Sequence, residues 1–196
     1  MAKRARVWTG TQWDDVAVQL PDLSNYSTTS QMNTAITNNV GLVPILTQTI
    51  GTTVSSIVVN NVFSATYDNY KVIISGGVGS TSDQLQIRLG AVTSGYKYSF
   101  GYQNFSGTAY NGLNSTSTDG VYYVGAYNTN TINADIDIRN PFLTKDKFIV
   151  GQTVTENFGG TSRGYLASTT SMTSFTIFPQ SGTLTGGTIY VYGYKK

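Results

Sequence analysis

Asp135 and Asp137 are the residues of this chain best spaced to do chemistry. Two positions apart on a strand, they share a face with side chains about 7 Å apart. A glycosidase works with two carboxyls roughly 5–10 Å apart, one as acid and one as nucleophile or base. The plainer reading makes them solvated outer-face charges set opposite Arg88 or Arg139, and nothing else in the sequence points to hydrolysis. The surrounding toolkit is thin. The chain has no His and no Cys, which removes Ser-His-Asp and Cys-His catalysis and any Cys/His zinc site. Gly76-Gly77-Val78-Gly79 lacks the Gly-Lys pair that ends a phosphate-binding loop and reads as a hairpin loop. Asp14-Asp15 and the Asp135/Asp137 pair offer oxygen ligands, but calcium needs six to eight of them and no EF-hand spacing occurs. No catalytic residue, cofactor or metal site is expected.

Binding chemistry is better provided. Phe105, Tyr110, Tyr122, Tyr123 and Tyr127 fall in or beside polar stretches rich in Asn and Ser. Rings among short polar side chains make adaptable contact surfaces at low entropy cost. These five are the candidate surface-binding residues, for a glycan or a protein partner. A second set lies at the start: Lys3, Arg4 and Arg6 with Trp8 and Trp13. Aromatic residues and Arg dominate interface hot spots, so this stretch reads as an anchoring arm for an acidic partner protein. Three basic residues without further clustering give no specific nucleic-acid footprint.

Composition says what must carry these residues. Of 196 residues, 84 are Thr, Ser, Asn or Gly, and only 11% are charged, against about 25% in ordinary domains. Hydrophobics at 39% suffice for a core. The basic start is followed by no apolar stretch of signal-peptide type, and no run of about 18 apolar residues exists, so neither a cleaved leader nor membrane insertion is expected.

The elements follow from periodicity. Thr28 and Gln31 fit a capping box, and Met32, Ile36 and Val40 recur at i, i+4, i+8 before Gly41 and Pro44 stop the turn. A helix of about 12 residues with so narrow an apolar stripe is marginal alone, so its stripe is expected to need a partner surface, either its own β domain or a copy of itself. From Ile45 the period becomes 2. Leu85, Ile87 and Leu89, then Ile132, Ala134, Ile136 and Ile138, then Tyr96, Tyr98, Phe100 and Tyr102 alternate with polar residues. About eleven short strands separated by Gly- and Ser-rich turns, with no helices between them, predict a mainly β fold: an antiparallel jelly-roll-like sandwich at 45–196, preceded at 1–44 by an extended N-terminal arm and one short helix. Asn104–Gly120 is the longest expected loop.

The opening Met1-Ala2-Lys3-Arg4-Ala5-Arg6-Val7-Trp8-Thr9-Gly10-Thr11-Gln12-Trp13, with Asp22-Leu23-Ser24-Asn25-Tyr26-Ser27-Thr28-Thr29, resembles the start of many bacteriophage tail and fibre proteins. Phe175-Thr176-Ile177-Phe178, Ser181-Gly182, Gly186-Gly187-Thr188-Ile189 and Tyr192-Gly193 are similar to the terminal hairpin of phage jelly-roll modules. Phe63–Tyr70 and Leu85–Leu89 share that look. The resemblance implies a virion protein, assembled in the host cytoplasm: a homotrimeric fibre or appendage without an active site. Its arm would hold other virion proteins of capsid, neck or tail, its helices would meet through Met32, Ile36 and Val40, and its β head would touch host surface glycans or virion neighbours. A capsid decoration protein is the alternative, and a carbohydrate-active enzyme the second alternative.

Overall fold

Alternating apolar and polar residues can bury only one side of a strand, so two sheets must face each other. That is the arrangement found in a computed structural model, which describes residues 6–15, 28–33 and 41–196. The chain forms two compact units, 1–39 and 40–196.

In the first unit, β1 (Arg6–Trp8) and β2 (Trp13–Asp15) pair antiparallel, with Arg6 opposite Asp15 and Trp8 opposite Trp13. Within 6–15 the chain is extended on both sides of a reversal at Gly10, whose φ of 94° suits glycine. The Thr9 N–H donates to the Gln12 carbonyl at 3.0 Å across the turn. Residues 29–33 are helical. The capping box forms reciprocally: the Thr28 N–H donates to Gln31 Oε1 at 2.7 Å, and the Gln31 N–H donates to Thr28 Oγ1 at 3.2 Å. Met32 is exposed, while Ile36 and Val40 lie outside the described residues, so the expected three-residue seam is described only at its first member.

The second unit is an antiparallel β-sandwich of jelly-roll-like type. One layer has eight strands in the order β3 (Leu42–Thr49), β16 (Thr188–Tyr194), β5 (Asn69–Ser75), β11 (Ile132–Arg139), β12 (Lys147–Val154), β13 (Phe158–Leu166), β8 (Tyr96–Asn104) and β9 (Tyr110–Thr118). The other has four: β4 (Ile57–Val59), β14 (Phe175–Pro179), β7 (Asp83–Leu89) and β10 (Val121–Tyr127). A small ladder joins β6 (Val78–Gly79) to β15 (Leu184–Thr185). The layers meet at β11, where one edge is shared. Ile132–Ala134 pair with β10, and Asp135–Arg139 pair with β12. From there β10 crosses over β12 and β13. Gly151 and Gly164 make the crossing possible, since a Cβ at either would collide with Val124 or Val121.

The core lies between the layers. Tyr70, Val72 and Ile74, then Ile132, Ile136 and Ile138, then Ile189 and Val191 face Leu85, Ile87, Leu89, Phe175 and Ile177, all buried. Two expectations need correction. The stretch read as the longest loop is mostly strand: β8 runs to Asn104 and β9 begins at Tyr110. No residue of β9 is buried, so its alternation carries no hydrophobic signal. The glycine-rich turn after β5 is no hairpin either. β5 pairs with β11 and β16, and Gly76-Gly77, both at φ 71°, carry the chain across to β6 against the backbone of Gly186-Gly187.

Candidate functional site

β11 places Asp135 and Asp137 on the outer face, as its alternation requires, and β5 sets Lys71 directly opposite Asp137. The Lys71 ammonium forms ion pairs with both carboxylates, at 3.4 Å to Asp137, and the Tyr194 hydroxyl donates to Asp137. Burial works to lower the Lys71 pKa, but its hydrogen bond to Asp135 and the two charges outweigh that and hold it above the usual value. The space between the acids is thus filled by an ammonium. The expected arginines serve elsewhere: Arg139 is exposed at the end of β11, and Arg88 lies in the other layer. There it is ion-paired with Asp119 and donates from Nε to the Asp119 carbonyl at 2.6 Å. The Tyr122 hydroxyl completes this group, donating to Asp119 Oδ1 at 2.7 Å. Burial opposes ionisation of Asp119, yet Tyr122 and Arg88 together hold its carboxyl below the usual range. Burial and the same carboxylate push the Tyr122 phenol up to about 12.

The candidate aromatics divide three ways. Tyr122 and Tyr123 sit in a bulge of β10, where the register against β7 shifts between Val121 and Gly125. Tyr123 has φ 61°, a left-handed conformation uncommon for a bulky side chain. The bulge turns both rings toward β8: Tyr122 stacks on Tyr98 at 5.3 Å, and Tyr123 on Phe100 at 4.5 Å with 6° between planes. It also takes two carbonyls out of the ladder. The buried hydroxyls of Ser162 and Thr153 donate to them, at 2.6 Å to Tyr122 and 2.5 Å to Tyr123. Phe105 and Tyr110, at 65% and 70% exposure, lie over Gly159 and Gly101. With Leu113, 43% exposed, they give the β8–β9 end an apolar, solvent-facing surface. Tyr127 differs from the other four in being buried, and it lines a cavity at the layer seam. It is buried at the end of β10 because its hydroxyl bridges the Ser181 backbone, donating to the carbonyl at 2.5 Å and accepting the N–H at 3.1 Å.

Nothing in the residue pattern signals a cavity of about 410 Å3 at the seam between the layers. It opens where β10 and β12 part company along β11, and the β12–β13 turn closes one side. Its lining includes Asp83 and Gln84 from β7, Asn133 from β11, and Glu156, Asn157 and Phe158 from the turn. Gln84 Oε1 is buried and accepts no hydrogen bond among the described residues. Asn133 reaches across the gap, its Nδ2 donating to the Val154 carbonyl at 3.3 Å.

Of the anchoring residues, Trp8 is 52% exposed on β1, Arg6 and Trp13 take strand positions in the hairpin, and Lys3 and Arg4 lie outside the described residues. Comparison with protein-family models, curated proteins and solved structures gave no match. The likeness to phage virion proteins therefore stands on the quoted residues.

Proposed function

We propose that this chain is a non-enzymatic bacteriophage virion protein: a small trimeric fibre or appendage, anchored by its N-terminal residues, whose β head contacts the host surface or a neighbouring virion protein. One observation supports this above the others. Among the described residues the edge strand β9 is paired on one side only; it is nine residues long, has no buried residue and contains no charged side chain, and its own Tyr110 and Leu113 stand exposed with Phe105 of the preceding turn. Proteins that stay solitary blunt such edges with charge or proline. An uncovered edge with adjoining apolar rings fits a chain that works by contact with neighbours, and repeated copies turn weak contacts into avidity.

The reading is tested by light scattering on the full chain and by following it into purified particles. The expected mass is three times the 21.1 kDa of one chain, and deletion of residues 1–20 leaves a trimeric head that no longer joins particles. A monomeric full chain, or undiminished incorporation after the deletion, counts against it. The second of these outcomes would favour a decoration protein seated through its β domain.

A further inference from the structure

We propose that the seam cavity is a binding site for a neutral sugar ring, formed by Asp83, Gln84, Asn133, Glu156, Asn157 and Phe158. Four observations converge on this class. The volume, about 410 Å3, lies in the range of roughly 300–1,000 Å3 typical of small-molecule sites. Gln84 lines the cavity, and its Oε1 is buried without a hydrogen-bond donor among the described residues, so a turn of the amide toward the cavity would give it a ligand O–H or N–H. The Asp83 and Glu156 carboxylates are further acceptors, which favour a ligand rich in donors and repel an anionic one. The Asn133 and Asn157 side chains can both give and accept, as vicinal hydroxyls do, and the Phe158 ring supplies an apolar wall for the C–H face of a pyranose. A polyhydroxylated, uncharged ring answers all four.

The fold explains why the site is here. β10 and β12 compete for one edge of β11, and each takes only part of it. The wedge between them is not closed by ladder pairing, and most of the side chains that line it are polar, with Ala126, Val154 and Phe158 supplying apolar wall. Neither Phe105 nor Tyr110 lines the site, and the Phe105 N–H donates to the carbonyl of its lining residue Asn157 at 2.9 Å. The site deepens the host-surface half of the proposed function and rests on that reading for its biological role.

The test is amide NMR titration of the full chain with glucose, galactose and N-acetylglucosamine, with sialic acid and spermidine as anionic and cationic controls. At least one neutral sugar should give saturable shifts confined to residues 83–84, 126–133 and 154–158, with a Kd near 1 mM, as expected for one monosaccharide. Gln84→Leu should weaken binding about tenfold or more, the effect of leaving a ligand hydroxyl without its acceptor. The exposed Asn157→Ala variant, which leaves the sheet intact, should weaken it as well. The proposal falls if no neutral sugar shifts these amides, if sialic acid or spermidine binds there more tightly, or if Asn157→Ala changes nothing. A chain that binds no sugar but needs residues 1–20 to join particles overturns the sugar site alone. A chain that binds sugar in the cavity yet never enters particles overturns the virion reading alone.

Discussion

Tyr96 carries a phenol into the core, where its oxygen accepts the Leu89 N–H at 2.7 Å and its hydroxyl faces the Leu89 and Val92 carbonyls. Burial pushes its pKa from 10.0 up to about 12, despite the opposing Leu89 hydrogen bond. The folded state thus holds this proton more tightly than the unfolded chain. The resulting stabilisation is complete below pH 10 and is lost as pH climbs to about 12, a change of roughly 2–3 kcal/mol. Tyr96→Phe should cost about 1–2 kcal/mol at neutral pH through the lost hydrogen bonds and should flatten the alkaline decline. Urea titrations at neutral pH and above pH 10 measure both. Asp119 has the opposite sign. Its carboxyl titrates below the usual value of 3.8, so its contribution is present above that pH and disappears as pH falls through the lowered value. Its side chain is 41% exposed, so Asp119→Asn should cost less than about 1 kcal/mol at pH 6. The variant should lose less stability than the parent on acidification, read as a smaller drop in melting temperature.

The β10 bulge sets the position of the aromatic stack, and two hydroxyls hold it. Ser162→Ala or Thr153→Val leaves a buried carbonyl without a donor, which should cost about 1–3 kcal/mol each in chemical denaturation. Gly151→Ala would drive a Cβ into the backbone of Val124 and should cost at least as much, because overpacking there pushes β10 off β12. The crossing layers explain what could be read from sequence. Strands with one dry face, such as β5, β7 and β11, were legible because their alternation follows from burial. So was the Thr28–Gln31 cap, which depends on two residues three apart. β9 was not, since both its faces are wet. Tyr122-Tyr123 gave no warning that a bulge would swing adjacent rings to one side. Tyr127 looked like a loop residue because its partner, Ser181, is remote in sequence. Lys71 was missed as the companion of Asp135 and Asp137 for the same reason: only strand pairing brings β5 beside β11.

The charges of the whole molecule are few, 12 basic and 10 acidic residues among 196. Lys71, Arg88 and Lys196 each pair with a carboxylate, and the edge strand β9 has none. If copies associate through that edge, their affinity should barely change between about 0.05 and 0.5 M salt, because screening acts only on charged contacts. Sedimentation at the two ionic strengths measures this, and a single lysine at Leu113 (Leu113→Lys) should weaken the association.

β16 lies between β3 and β5, so the strand from late in the chain fills a slot between two from its first half. During synthesis, β3 and β5 leave the ribosome long before their shared neighbour. Until Thr188–Tyr194 arrives, their facing edges stand open, and the nascent polypeptide is at its most prone to pair with the wrong strand. Closure of the larger layer is then a late event, and this protein should fold slowly for its size, as long-range pairing dictates.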